Sequence, residues 1–457
     1  MKNAATLNRS ASRLARRASP RVIGTAMVGV AGLALGLVGC AADAGGPVTL
    51  TYWATNQGTT IEEDQRILGE SIERFTEQTG IEVELEVIPW ADLYSKILAA
   101  VSSGEGPHVL NIGNTWAVTL QETGAFVPFE GDVLESIGGS ERFIPSSWAA
   151  AGKPGQAPTS VPLYAMSYGL YYNPKLLAAA GIDGPPSTWQ EFVADAKRLT
   201  VDTDGDGAID QWGTTLIGGA VTSGAHFAFI LGQQYGADWF AADGTPQLDS
   251  PGMVEAVGTY VDLLGTDGVA SPADAESELS ADSVQDFIDG KAATIIVQSP
   301  RAQFELAGFT DWALAEVPVI DPLPAGGRPI GTHVAGTNVS VFQDSTHQDE
   351  SFKFIDFLTS PAEQQTLTGA YMVLPVTTEA YADGSLEAAD PSIGVSQDIL
   401  ADHAEPFPLD SRTGQAETLI GTAVKSLLAK AATGGTVGPA EVKAALADAQ
   451  SQLSAAG

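Results

Sequence analysis

From residue 48 onward, hydrophobic positions switch repeatedly between the spacing of a strand and the spacing of a helix. Residues 48–55 are rich in β-forming side chains and residues 81–88 alternate strictly between apolar and polar, which predicts two strands. Between them, apolar residues recur at helical spacing up to Gly80, a typical helix C-cap. A second amphipathic stretch, 91–102, precedes a short apolar run at 109–112. This order predicts an α/β fold with a mostly parallel sheet flanked by helices.

Polar turns follow two of the predicted strands. Asn56 and Gln57 come directly after the first strand, and Asn114 and Trp116 come after the third. In sheets of this kind, ligands bind beyond the carboxyl ends of the strands. We therefore expect these turns to line a binding site.

The first 39 residues have the organisation of a secretory signal peptide. Six basic residues and no acidic residue surround or precede an apolar, Gly/Ala-rich stretch at 22–38, and small residues lead to Cys40. The run Leu37-Val38-Gly39-Cys40 resembles a bacterial lipobox, which implies cleavage before Cys40 and acylation of its thiol. We expect a protein on the extracytoplasmic face of the cell membrane that touches the membrane through its lipid anchor only, with 40–47 as the lipidated linker. A buried structural cysteine and a retained transmembrane helix are the alternatives.

Charge and cysteine content narrow the class further. The formal net charge is −34, and removal of the leader leaves 16 basic against 56 acidic residues. A surface this negative repels nucleic acid, so no nucleic-acid partner is expected. Cys40 is the only cysteine, so no intrachain disulfide can form and hydrophobic cores must stabilise the fold. The roughly 400 remaining residues are enough for two domains.

Several motifs are spread over nearly the whole chain after Cys40. They lie at 75–83, 103–109, 170–176, 187–192, 287–293, 354–358 and 374–376. In their order and spacing they resemble the extracellular solute-binding proteins of carbohydrate ABC importers, the family that includes maltodextrin-binding protein. One departure is His108, which stands where relatives usually have an aspartate.

The resemblance implies a two-lobed, periplasmic-binding-protein-like fold with the ligand cleft at the hinge. The N-terminal lobe would hold residues 48–163 and 338–359, and the C-terminal lobe residues 164–337 and 360–457. The chain would cross between lobes near 164–166, 334–336 and 360–361. Gly336, at the second crossing, would suit a hinge.

The resemblance also implies a monomeric protein that binds a carbohydrate and delivers it to the permease subunits of an ABC transporter. Sugar sites combine polar side chains for the hydroxyls with aromatic rings for the ring faces. The residues that the resemblance places at the cleft are Asn56, Gln57, Asn114, Trp116, Ser167, Tyr168, His226, Ser299, Arg301, Thr332, His333 and Tyr371.

Some of these assignments have alternatives. Trp116 and Tyr371 are expected to stack on opposite sides of the sugar, although aromatic residues often only pack. His226 and His333 could instead be core histidines, and Arg301 an ion-pair residue. Relatives carry a stacking tryptophan where Ser299 and Arg301 stand, so that subsite is in doubt.

An oligosaccharide is favoured as the ligand because the candidate aromatics are spread over both predicted lobes. A polyol or a glycerophosphodiester is the alternative. We expect no enzyme and assign no catalytic residue, because glycoside hydrolases need two facing carboxylates and none of the predicted cleft positions is acidic. A secreted glycoside hydrolase that uses dispersed residues is the less favoured possibility.

No cofactor is required for binding, but one segment has the spacing of a structural calcium loop. Asp202, Asp204, Asp206 and Asp210 occupy loop positions 1, 3, 5 and 9 of an EF-hand, and Ala208 occupies position 7, where a backbone carbonyl binds. Position 12, normally glutamate, is Gly213. A solvated acidic turn is the alternative.

Overall fold

The computed structural model describes residues 48–58 and 60–456. The predicted signal peptide, Cys40 and the linker therefore lie outside the described residues. Within the described part of the chain, no helix is long and apolar enough to cross a membrane.

The first lobe is built on a five-stranded sheet flanked by helices. Its strands are β1 (Thr49–Thr55), β2 (Glu82–Ile88), β3 (Val109–Gly113), β4 (Val161–Met166) and β9 (Ala335–Val341). Its helices are α1 (Ile61–Thr79), α2 (Trp90–Ser103), α3 (Ala117–Gln121), α4 (Gly131–Ser136), α5 (Pro145–Ala149), α12 (Gln348–Leu358) and α13 (Pro361–Tyr371). The strand order is β2-β1-β3-β9-β4, and every pairing that involves β9 is antiparallel whereas β2, β1 and β3 are parallel.

The second lobe combines a small sheet with a larger helical layer. Its strands are β5 (Tyr168–Tyr172), β6 (Thr294–Gln298) and β7 (Ala313–Ala315). Its helices are α6 (Pro174–Ala179), α7 (Trp189–Leu199), α8 (Val221–Gln234), α9 (Pro251–Asp262), α10 (Ser280–Ile288), α11 (Arg301–Ala307), α16 (Thr413–Ala432) and α17 (Pro439–Ala456). The order is β6-β5-β7, with β5 antiparallel to both neighbours. The expected two-lobed α/β fold is thus present.

Each lobe has its own hydrophobic core. Helices α8, α9, α16 and α17 pack against one another around Trp239 and Tyr260, two fully buried aromatic side chains. In the first lobe, Tyr52 and Phe75 pack against Phe354 with ring centroids 5.2 and 4.9 Å apart. Two separate cores allow each lobe to keep its shape if the lobes move relative to each other.

Three connections join the lobes. Ser167 links β4 to β5, and Val334 links the short strand β8 (Thr332–His333) to β9. The third connection, residues 406–412, leads from β10 (Ala404–Glu405) to α16, and β10 pairs in parallel with β8.

The lobe boundary expected at residue 360 needs correction. Leu367 and Leu374 are buried in the same core as the first sheet, and Leu374 pairs with Ala165 of β4. The Gln364 amide donates to the carbonyls of Leu163 and Leu358, both at 3.0 Å, which fixes α13 to the first lobe. The following helices, α14 (Ser385–Ala389) and α15 (Ser392–Asp402), continue this packing, and α15 also touches β7.

Gly336 is required by strand packing at the second crossing. A Cβ at this position would collide with the carbonyl oxygen of Tyr164 on the neighbouring strand β4. Glycine therefore allows the two strands to approach closely where the chain re-enters the first lobe.

Candidate functional site

The turn after β1 is shaped by side chains of the turn itself and of α1. Asn56 Oδ1 accepts a hydrogen bond from the Trp90 amide at 3.0 Å and so fixes the start of α2. The amides of Gln57 and Gly58 both donate to Asp64 Oδ1, at 2.9 and 2.8 Å. Burial raises the pKa of the Asp64 carboxyl, and the bonds from Gly58 and Gln57 oppose that rise.

A pocket of about 540 Å³ lies between the lobes beside this turn, and we call it the interlobe pocket. Its first-lobe wall consists of Gln57, Gly58, Glu63 and the end of α13, residues 369–372. Its second-lobe wall is one face of α11, with Ala302, Glu305 and Leu306. The volume lies within the range of small-molecule binding sites in proteins.

Several polar atoms close to the lobe junction are buried without a hydrogen-bond partner of normal geometry. Thr55 Oγ1 lies at the end of β1, Gln298 Nε2 at the end of β6, and the Tyr371 hydroxyl in the wall of the interlobe pocket. Unpaired buried polar atoms are costly and uncommon, so each of them needs an explanation. These three positions can therefore supply hydrogen bonds to a polar ligand.

Two residues at the pocket have left-handed backbone conformations although neither is glycine. Ser299 has φ 43° between β6 and α11, and Met372 has φ 55° as the C-cap of α13. Such conformations are uncommon for side-chain-bearing residues and often occur at functional sites. Here they direct the chain into and out of the helices that form the pocket walls.

Arg301 has a role different from the expected one. Its side chain is 5 % exposed, with Nη1 2.7 Å from Asp390 Oδ2 and Nη2 donating to the Met372 carbonyl at 2.6 Å. Because α11 belongs to the second lobe and Met372 ends a first-lobe helix, the guanidinium bridges the lobes. This geometry agrees with the alternative interpretation of Arg301 as an ion-pair residue. Burial raises the pKa of Asp390, but hydrogen bonds from Ser392 and Arg301 outweigh it and lower the pKa.

Tyr168, His226, His333 and Phe407 meet beside the crossings, and we call this group the hinge cluster. The Tyr168 hydroxyl is 2.9 Å from His226 Nδ1, and the rings of His226 and His333 have centroids 4.2 Å apart. His226 Nε2 also lies 3.3 Å from Glu417 Oε1. Three residues that were predicted to contact ligand, Tyr168, His226 and His333, are thus neighbours in space, and the hydroxyl of Tyr168 contacts His226.

His333 and Thr332 are buried parts of the second crossing. Thr332 Oγ1 accepts from the Tyr168 amide at 2.9 Å and donates to the His333 carbonyl at 2.7 Å. This hydroxyl is fully buried and already paired, so its predicted ligand contact is corrected. His333 is 2 % exposed, and its Nδ1 has no hydrogen-bond partner among the described residues.

The remaining predicted cleft residues lie on the first lobe or at the first crossing. Asn114 Nδ2 donates to the Val334 carbonyl at 2.7 Å, which ties β3 to the second crossing, and Ser167 is buried in the first. Trp116 is half-buried, with its ring centroid 5.4 Å from that of Trp90. Tyr371 is 5 % exposed and packs in the first-lobe core. Trp116 and Tyr371 therefore belong to the same lobe, whereas the expected boundary at residue 360 had put Tyr371 in the other lobe.

The acidic loop between α7 and α8 brings only part of the predicted calcium set together. Carboxylate oxygens of Asp202, Asp204 and Asp210 lie within 4.8 Å of one another. Asp206 is not in this group, and its Oδ1 accepts from the Ala208 amide at 2.8 Å. A hard cation could be held by three carboxylates and nearby carbonyls.

Other residues of the site were missed by the sequence analysis. Glu63, Glu305, Leu306, Gln298, Phe407 and Glu417 all lie at the interlobe pocket, the adjoining strand end or the hinge cluster. Gln298 directly precedes Ser299, a residue predicted to lie at the cleft, and could have been found from that position. Glu417 is 191 positions from His226, and no local pattern connects them.

Comparisons with known proteins agree with this architecture. Residues 58–365 match the family of bacterial extracellular solute-binding proteins. The chain belongs to this family. It is 26 % identical to a putative binding protein of Brucella abortus over 77 % of this chain and 80 % of that protein. It is 24 % identical to the diacetylchitobiose binding protein DasA of Streptomyces coelicolor, over 81 % and 86 % of the two chains.

Two further similarities are to a periplasmic protein and to a solved structure. The sn-glycerol-3-phosphate-binding periplasmic protein UgpB of Rhizobium meliloti is 26 % identical over 62 % of this chain and 65 % of that protein. The structure of the sugar-binding protein MalE from Xanthomonas citri superposes with a TM-score of 0.75 at 21 % identity, covering 90 % of this chain and 98 % of that one. The fold of this solute-binding protein is therefore that of MalE.

The buried imidazole of His333 should make folding sensitive to acid. Burial, followed by the neighbouring His226, lowers the pKa of His333, so the unfolded chain takes up the proton first. Burial of the neutral imidazole therefore costs no stability above the pKa of about 6.5 in the unfolded chain. The free energy of unfolding falls as the pH drops below this value, because protons then bind the unfolded chain preferentially. We expect the melting temperature of wild type to fall more steeply between about pH 7 and pH 5 than that of His333→Gln.

The matched control is His403→Gln, which removes a half-buried histidine outside the hinge cluster. It should leave the wild-type pH dependence in place. Identical pH profiles for wild type and His333→Gln would contradict the assignment.

Proposed function

We propose that this solute-binding protein captures a carbohydrate between its lobes and delivers it to the permease of an ABC transporter. The observation that carries the proposal is the interlobe pocket, whose two walls come from different lobes and whose lining includes the buried Tyr371 side chain. Hydroxyl groups of a sugar can donate to carboxylates and accept from amides or hydroxyls, which is the donor and acceptor set present there. The names of DasA and MalE, a diacetylchitobiose-binding and a sugar-binding protein, support this ligand class.

Binding between the lobes also provides a signal for transport. A ligand that contacts both walls binds the closed arrangement of the lobes more tightly than the open one. It shifts the population towards the closed arrangement by as much as this difference in affinity allows. The permease can then distinguish loaded from unloaded protein by the relative position of the lobes. An oligosaccharide remains the favoured ligand, with a polyol or a glycerophosphodiester as the alternative. No catalytic step is proposed.

Trp116 is the residue we propose for stacking on a sugar ring. We expect thermal shift against a glycan panel to identify a ligand, since a ligand at 100 times its Kd stabilises a protein by about 2.7 kcal/mol. Trp116→Ala should weaken that ligand roughly tenfold, corresponding to about 1.4 kcal/mol. It should lower the melting temperature only modestly, because the ring is half-buried against Trp90 and Tyr94.

Trp53→Ala is the matched control, since Trp53 packs at the edge of the same small core but lies within β1. This control should keep the wild-type Kd. An unchanged Kd in Trp116→Ala would remove Trp116 from the site.

We propose that the mature chain begins at an acylated Cys40, as the lipobox-like run before it indicates. Mass spectrometry of the membrane-bound protein should find a lipid-modified N-terminal cysteine, and Cys40→Ala should abolish both modification and cleavage at this position. An unmodified N-terminus at another residue would contradict the proposal.

We propose a structural calcium ion at Asp202, Asp204 and Asp210, with Asp206 and the Ala208 carbonyl as further candidates. The proximity of three carboxylates supports it, since their mutual repulsion would be relieved by a cation. Chelation should lower the melting temperature of wild type and leave that of the Asp202→Asn, Asp204→Asn double variant unchanged, with glycan affinity similar in both. Elemental analysis that finds no calcium in calcium-exposed wild type would refute the site.

A further inference from the structure

The charged side chains that line the interlobe pocket are all acidic. Glu63 lies on the first-lobe wall and Glu305 on the second-lobe wall, and among the described residues no lysine, arginine or histidine lines the pocket. The buried carboxylate of Asp64 lies behind the same turn, hydrogen-bonded to Gln57 and Gly58. An anion that entered the pocket would therefore face negative charge from both lobes.

Three donors near the pocket that could bind a phosphate already have partners within the protein. Arg301 directly precedes Ala302 of the pocket wall, but its two terminal nitrogens contact Asp390 and the Met372 carbonyl. The backbone amides of Gln57 and Gly58, which could form an anion site, both donate to Asp64. Phosphate recognition needs free cations or free N–H groups, and these internal contacts make Arg301 and the backbone amides of Gln57 and Gly58 unavailable for it.

One buried group does point to a polar, uncharged ligand. Tyr371 lines the pocket and is 5 % exposed, and its hydroxyl faces the buried Asp64 carboxylate without a hydrogen bond of normal geometry. Burial raises the pKa of this phenol, so the hydroxyl keeps its proton and can donate as well as accept. A ligand hydroxyl can satisfy it, and other hydroxyls of the same ligand can donate to Glu63 and Glu305.

On the basis of the proposed function, we propose that the interlobe pocket selects uncharged polyhydroxylated ligands and rejects phosphate esters, with Glu305 as the specificity-determining residue of the second lobe. Glu305 is exposed on α11, and within the described residues its carboxylate makes no ion pair or side-chain hydrogen bond. It is therefore the pocket carboxylate whose removal disturbs the fold least. Rejection of phosphate separates this chain from the ligand class named for UgpB.

The test compares glycans with a phosphate ester by isothermal titration at low ionic strength. The glycan panel includes diacetylchitobiose and maltotriose, and sn-glycerol-3-phosphate is the anionic probe. Wild type should bind a glycan at least about 100-fold more tightly than sn-glycerol-3-phosphate. Glu305→Lys should reduce the ratio of glycan affinity to sn-glycerol-3-phosphate affinity by roughly tenfold or more. Glu305→Gln should reduce this ratio by less, because it removes the negative charge without reversing it.

Glu77→Lys is the matched control, because it makes the same change in net charge at an exposed position of α1 about 21 Å along the helix from Glu63. Glu77→Lys should leave the ratio of the two affinities unchanged. Wild type that binds a glycan and sn-glycerol-3-phosphate with similar affinity would overturn the selectivity while preserving the proposed function. Wild type that binds no glycan in the panel but binds the phosphate ester would overturn both, and equal effects of Glu77→Lys and Glu305→Lys would remove the special role of Glu305.

Discussion

The architecture depends on one strand that returns from the second lobe and pairs antiparallel inside the sheet of the first. β9 lies between β3 and β4, and its first residue, Ala335, is opposite Met166, the last residue of β4. The chain therefore leaves and re-enters the first lobe at adjacent positions. Gly336 permits the close strand approach, and the bond from Asn114 to the Val334 carbonyl ties the next strand to the same point. Two crossings held side by side allow the lobes to change their relative orientation without breaking either sheet.

The interlobe pocket follows from this constraint. The crossings fix how the two lobes approach each other. As a result, the pocket is lined by the turn after β1, the end of α13 and one face of α11. Arg301 joins two of these elements through a buried guanidinium, and this also neutralises the nearest positive charge. The same contact thus supports the wall of the pocket and leaves its interior acidic. Stability and ligand preference are linked here through one side chain.

The sequence predicts what depends on neighbours along the chain. Strands β1 to β3, helices α1 and α2, and the Gly80 cap follow from local periodicity and capping. The helix start at Thr188 forms a capping box with Glu191, as its motif indicates. These features need no knowledge of tertiary packing.

The same patterns cannot predict contacts between distant residues. Proline after Ser360 marks a helix start, but only the packing of Leu367 shows which lobe that helix joins. The sequence leaves open whether Arg301 binds ligand or forms an ion pair. Only the structure shows that its partner is Asp390, 89 positions away. Thr332 was predicted to contact ligand from its position in the chain, but its hydroxyl is buried and bonded to the Tyr168 amide and the His333 carbonyl.

Small-angle X-ray scattering with and without a saturating glycan tests most directly whether a carbohydrate is held between the two lobes. A ligand that contacts both walls shifts the population towards the closed arrangement, so the radius of gyration should decrease while the far-ultraviolet circular dichroism spectrum stays the same. A glycan that binds with no change in the radius of gyration, and whose affinity is insensitive to substitutions on both pocket walls, would contradict the account.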